Sequence, residues 1–137
     1  MAEFVGDGIK LIYACSGAAD VGEIADRVAR KLRAEGFAKM TCLAGIAAGL
    51  SSYLQSAKGT AENITIDGCK KACAKKTLER IEVTSTSYVL TELGLVKGES
   101  PVSDEIVARM CEKIKGAGGN LSTAPLVTGG CSCSGKC

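Results

Sequence analysis

Two thiols four residues apart, Cys69 and Cys73, close the segment Ile64-Thr65-Ile66-Asp67-Gly68-Cys69-Lys70-Lys71-Ala72-Cys73. An alternating, strand-like run ends in Asp-Gly, and the residues after it read as a helix over 69–79. On a helix, positions i and i+4 share a face, so this spacing predicts two sulfurs one turn apart. Free N–H groups and the positive end of the helix dipole in a first turn favour thiolate over thiol. Such a pair suits a soft metal ion or thiol redox chemistry. Cys15 and Cys42 extend the pattern, because each also closes a compact apolar run.

Those cysteines need elements to place them. Residues 9–15, following Gly8, read as a buried strand, and residues 37–43 and 63–67 as two more. A fourth strand is expected at 81–85, where Ile81 and Val83 alternate with polar residues. Between the strands lie helical patterns. Asp20 is a candidate N-cap with Glu23 three residues on, and Val21, Ile24, Val28 and Leu32 then recur at helical spacing up to Gly36. A small-residue helix is expected over about 46–56, and a last one over 105–115 with Ile106, Val107, Met110 and Ile114 on its apolar face. Residues 88–94 are ambiguous, although Leu90 and Leu93 suit a helical turn with Gly94 as its cap. Strands alternating with helices predict a single three-layer α/β sandwich around a mostly parallel sheet of about four strands, flavodoxin- or Rossmann-like. Such sheets bind ligands at the carboxyl ends of their strands, and in the order 2-1-3-4 the edge collects Cys15, Cys42 and Cys69, with Cys73 joining from the next helix.

Other reactive side chains have plainer readings. Cys111 falls four residues after Val107 and three before Ile114, on the apolar stripe of its helix, which makes it a core residue. Asp67 reads as a turn or cap residue before a general base. The closing residues Gly129-Gly130-Cys131-Ser132-Cys133-Ser134-Gly135-Lys136-Cys137 form a flexible Cys-rich tail, 129–137, after a domain spanning 1–128. Cys131, Cys133 and Cys137 are possible additional metal or thiol groups in it.

Composition narrows the function classes. At 137 residues the chain can bury one real core, and with aromatics at only 4% that core must be built from Ala, Val, Ile and Leu. A net charge of +2 and no basic run interleaved with aromatics argue against a nucleic-acid partner. No apolar run reaches membrane length and no signal peptide opens the chain, so a soluble cytoplasmic protein is expected. In that compartment eight cysteines read as metal ligands or redox groups rather than structural disulfides. The chain has no His, so a metal site must use thiolates and perhaps carboxylates, and histidine acid–base catalysis is excluded.

A cysteine after the first strand, followed by a small-residue loop and a helix, is similar to the phosphate loop of low-molecular-weight tyrosine phosphatases and arsenate reductases. That loop needs an Arg six residues after the Cys, where this chain has Val21, so phosphatase chemistry is disfavoured. A second resemblance covers residues 9–115. Tyr13-Ala14-Cys15-Ser16-Gly17-Ala18-Ala19-Asp20-Val21-Gly22, Cys42-Leu43-Ala44-Gly45-Ile46, Asp67-Gly68-Cys69 with Cys73, Thr91-Glu92-Leu93-Gly94 and Lys97-Gly98 together resemble the DGC-domain proteins, described as zinc-binding. The resemblance implies that Cys15, Cys42, Cys69 and Cys73 are the family's four-cysteine metal set. Zn(II) is therefore the first expectation, with an iron–sulfur cluster as an alternative cofactor. The rival function is a thiol redox enzyme with Cys69 as nucleophile and Cys73 or a tail cysteine resolving. The partner is a metal ion, with no protein partner indicated.

Overall fold

The computed structural model describes residues 8–119. Its sheet has four parallel strands, β1 (Lys10–Ala14), β2 (Lys39–Met40), β3 (Glu62–Asp67) and β4 (Thr86–Val89), in the order β2-β1-β3-β4. The α/β class, the parallel sheet and the expected strand order all hold. Helices α1 (Asp20–Ala34) and α5 (Asp104–Gly119) cover one face. Helices α2 (Leu43–Ala47), α3 (Ser51–Gly59) and α4 (Cys73–Glu79) cover the other.

Strand alternation assigns the two cores. Ile12 and Ala14 of β1, with Ile64 and Ile66 of β3, meet Val21, Ile24, Val28 and Leu32 of α1 and Val107, Met110, Cys111 and Ile114 of α5. Leu11 and Tyr13 point the other way, to Ile46, Ala57, Leu78 and Val83. Asn63, Thr65 and Asp67, the polar half of the β3 alternation, are all buried. Their partners explain why that is tolerable. The Tyr13 hydroxyl donates to Asn63 Oδ1 at 2.8 Å, the Asn63 amide donates to the Ala57 carbonyl at 2.8 Å, and Thr65 Oγ1 lies 3.1 Å from Ser85 Oγ. Burial pushes the Tyr13 phenol well above its ordinary range.

Three expected elements are corrected. The fourth strand is Thr86–Val89, not 81–85. Glu82 adopts a left-handed φ of 62°, and the Val83 N–H returns to the Leu78 carbonyl at 3.0 Å, so residues 81–83 fold back beneath α4 instead of extending. A 3₁₀ turn, Leu90–Leu93, follows the strand directly. The single helix over 46–56 is two helices, because Gly49 turns left-handed at φ +75° and Leu50 is extended. Finally, β2 stops at Met40, so Cys42 holds the N-cap position of α2 instead of a strand.

Candidate metal and thiol site

The carboxyl edge of the sheet is assembled by three neighbouring strand ends. Cys15 follows Ala14 of β1, and its N–H donates to the Ile66 carbonyl of β3 at 3.0 Å. Gly68 and Cys69 follow Asp67 of β3. The chain after β2 stays beside β1 through Thr41, whose N–H donates to the Ile12 carbonyl at 3.0 Å, and Cys42 comes next.

The motif Asp67-Gly68-Cys69 divides its labour physically. Asp67 is buried at the strand end, where Oδ1 accepts the Ala74 N–H at 2.7 Å and Oδ2 the Lys75 N–H at 3.1 Å. It thereby satisfies the first free donors of α4 in place of the N-cap residue, Ala72, which has no polar side chain. Burial pushes its carboxyl upward and the two N–H bonds pull it back. Gly68 passes under α1 so closely that a Cβ there would lie 2.6 Å from the Val21 carbonyl carbon and oxygen. Cys69 then presents the thiol. The expected capping role of Asp67 is the one observed. Replacing it in Asp67→Ala strands the buried Ala74 N–H and should cost about 2 kcal/mol, read as a fall of roughly 10 °C in Tm for a domain of this size.

The helix does not begin at Cys69. Residues 69–72 form a turn, closed by the Ala72 N–H on the Cys69 carbonyl at 3.0 Å, and Ala72 takes a left-handed φ of 52°. α4 starts at Cys73, where the Asp67 carboxylate can reach its donors. The two sulfurs therefore do not share one helix face, and the first-turn argument for Cys69 falls.

All five cysteines of the described residues are free thiols. Cys15 is half-buried, and the Gly68 N–H donates to its Sγ at 3.4 Å. Burial raises its thiol, partly offset by the Gly68 and Gly17 N–H groups, while the charges of Asp67 and Cys73 push it up further. Cys69 is also half-buried, with Lys97 Nζ 3.8 Å from its Sγ. Cys15 and Cys69 pack against the α1/α5 core, whereas Cys42 and Cys73 are exposed at the starts of α2 and α4, on the opposite layer. The four thiols thus rim one edge from both sides of the sheet. In these side-chain positions no three Cys, Asp or Glu groups among the described residues are gathered closely enough to hold a metal ion.

Cys111 is in the α5 core as expected, its thiol donating to the Val28 carbonyl at 3.7 Å and pushed up to about 11 by burial. Val21, at the position where a phosphatase loop needs Arg, is buried. Cys131, Cys133, Cys137 and the boundary at 128/129 lie outside the described residues. A cavity of about 490 Å³ opens at the amino ends of β3 and β4, lined in part by Lys58, Glu62, Glu82 and Thr84, at the end of the strands opposite to the thiols.

Sequence reasoning missed two residues of the site. Asp20 was expected to cap α1, yet the N-cap position is Ala19. Its carboxylate instead accepts the Gly98 N–H at 2.9 Å and the Ser100 N–H at 2.9 Å, bonds that hold it below the usual carboxylate range. Lys97 sits on the loop so held. Neither contact has a local signal, since the partners are 78 and 80 residues apart.

The model of the DGC domain matches residues 11–114, which take in β1 through most of α5 and every cysteine placed above. This chain belongs to the DGC-domain family. A DGC domain in Pseudomonas aeruginosa is the protein named anaerobic and virulence modulator AnvM, 35% identical over 92 residues that make up 66% of this chain and 70% of that one. No solved structure gives a significant match. Among the described residues of this DGC domain, no helix is long and apolar enough to cross a membrane.

Proposed function

We propose that this DGC domain binds a thiophilic metal ion, Zn(II) first, at the carboxyl edge of its sheet and holds it exchangeably, as a metal-handling or metal-sensing protein of the cytoplasm. The observation that carries the reading is the convergence of Cys15, Cys42, Cys69 and Cys73 on three adjacent strand ends. In donor type the set suits a soft ion, for the chain offers thiols and no imidazole. In arrangement it is not a closed cage, since the side chains are spread over both layers. Cys15 and Cys69 on one layer and Cys42 and Cys73 on the other would hold the ion, which would supply a Lewis-acidic, sulfur-ligated centre there. The chain's own residues do the rest: Gly68 N–H steadies the Cys15 sulfur, and Asp67 fixes the start of α4 and hence Cys73. The name of the Pseudomonas relative ties that protein to anaerobic life and virulence, which favours a regulatory role here.

Protein purified without oxygen should carry up to one colourless Zn(II) per chain. Chelation should remove it and leave a cooperative thermal transition, because both apolar cores are complete without metal. Unfolding on chelation would make the ion structural, and a chain that takes up no Zn(II) would overturn the reading. A brown chromophore with iron and sulfide would assign a cluster instead. The second reading, a thiol redox protein, is favoured by the ammonium of Lys97 beside Cys69. Metal-free protein with one hyper-reactive thiol would select it.

A further inference from the structure

The backbone of loop 96–100 is tied down on both sides of one exposed lysine, Lys97. The Glu99 N–H closes a turn on the Val96 carbonyl at 3.0 Å, with Gly98 at a left-handed φ of +88°. The Ser100 hydroxyl accepts the Val96 N–H at 2.9 Å and donates to the Val96 carbonyl at 2.8 Å. From outside, Asp20 at the start of α1 grips the loop with both carboxylate oxygens, one on Gly98 N–H and one on Ser100 N–H, and within its own helix it also accepts the Val21 N–H at 2.7 Å. Between these anchors lies Lys97, with its ammonium 3.8 Å from the Cys69 sulfur. The same corner holds an unmet polar group. Thr91, whose N–H donates to the Gly68 carbonyl at 3.2 Å, keeps a covered hydroxyl with no partner among the described residues.

We propose that Asp20 is the positioning residue that fixes Lys97 beside Cys69, and that the fixed ammonium makes this end of the thiol edge select anionic sulfur-reactive ligands over neutral ones. The inference takes from the metal reading only that Cys69 belongs to the site. A cation held at the reacting atom raises the local concentration of an incoming anion and loses that effect with salt. A mobile lysine on an untethered loop would be spread over many rotamers and do this poorly.

Two alkylating reagents that differ in charge alone, iodoacetate and iodoacetamide, test it on the metal-free full chain. In each case the thiolate displaces iodide and forms a thioether. Cleavage after Lys39, Lys58 and Lys70 puts Cys42 and Cys69 in separate peptides, so the exposed Cys42, which lacks the four lysines that crowd Cys73, serves as the internal reference. The iodoacetate-to-iodoacetamide rate ratio at Cys69 should exceed that at Cys42 by roughly tenfold at low salt. Lys97→Gln should bring the Cys69 ratio down towards the Cys42 value, and Lys97→Arg should keep it. Asp20→Ala should lower it without touching the lysine, and Asp20→Asn, which retains one acceptor, should fall between and also serves if Asp20→Ala does not fold. Equal ratios in the unaltered chain, or a ratio that survives both Asp20 variants, would overturn the proposal. Because no metal is present, selectivity in a chain that binds no Zn(II) would sink the metal reading alone.

Discussion

Cys69→Ser and Cys73→Ser are each expected to weaken Zn(II) binding by roughly a hundredfold or more, at or above the top of the range for losing a supporting residue around a metal. Cys111→Ser should leave the affinity within about twofold, the scatter expected of a residue outside the coordination sphere. The contrast follows from where the three sulfurs stand. Cys69 and Cys73 flank the turn after β3, one on each side of the sheet edge, whereas Cys111 is fully buried between α1 and α5. A serine hydroxyl stays protonated at neutral pH and is a hard, poor ligand for zinc, so each exchange removes a coordinating charge. At Cys111 the exchange should be read in stability instead, because the new hydroxyl enters an apolar stripe. Competition with a chromogenic chelator measures the affinities and thermal melts the stability. Equal metal loss in all three variants would sink the assignment. The same titrations fix the pH dependence. Every ligand thiol must lose its proton, and burial raises that of Cys15, so affinity should fall below neutral pH and keep climbing above it. The slope should approach tenfold per pH unit for each proton displaced. Occupancy indifferent to pH down to mild acidity would indicate oxygen ligands.

Much of this edge was legible in the sequence, because short apolar runs closed by small residues mark buried parallel strands and their carboxyl ends carry ligands. Cys15 and Cys111 are where spacing put them. What stayed hidden depends on partners far along the chain. The start of α4 is decided by the reach of the Asp67 carboxylate, and helical periodicity cannot see that a cap will come from six residues upstream across a turn. Residues 81–85 alternate like a strand because Ile81 and Val83 pack under α4, where burial imitates the strand pattern, while the true β4 reads Thr-Ser-Tyr-Val and is weakly apolar. The Asp20 clamp has no local signature at all. A carboxylate at a helix start has a sufficient local explanation, and its real partners lie beyond the fourth strand.

The family's central glycine gives the sharpest steric test. Gly68→Ala should destabilise the domain by about 3 kcal/mol, the upper end of the usual range for overpacking, and lower Tm by roughly 15 °C. The added methyl would sit 2.6 Å from the carbonyl carbon and oxygen of Val21 and 2.9 Å from the Gly22 nitrogen. Those are backbone atoms in the first turn of α1, with no flexible side-chain end to swing away. Relief must come from moving α1 off the end of β3, and that separates Asp20, at the start of α1, from the turn bearing Cys69 and pulls on the short loop that joins Cys15 to α1. Metal affinity should therefore fall along with stability, although no ligand has been touched. Gly116→Ala is the matched control: its Cβ meets nothing within 4 Å, in helix α5, so it should be neutral or stabilising by up to about 1 kcal/mol. Paired thermal melts and chelator competitions decide the matter. A Gly68→Ala protein that melts and binds like the unaltered chain would mean that the strand end and α1 are not in the close contact described, and the account of the Asp-Gly-Cys motif would fall with it.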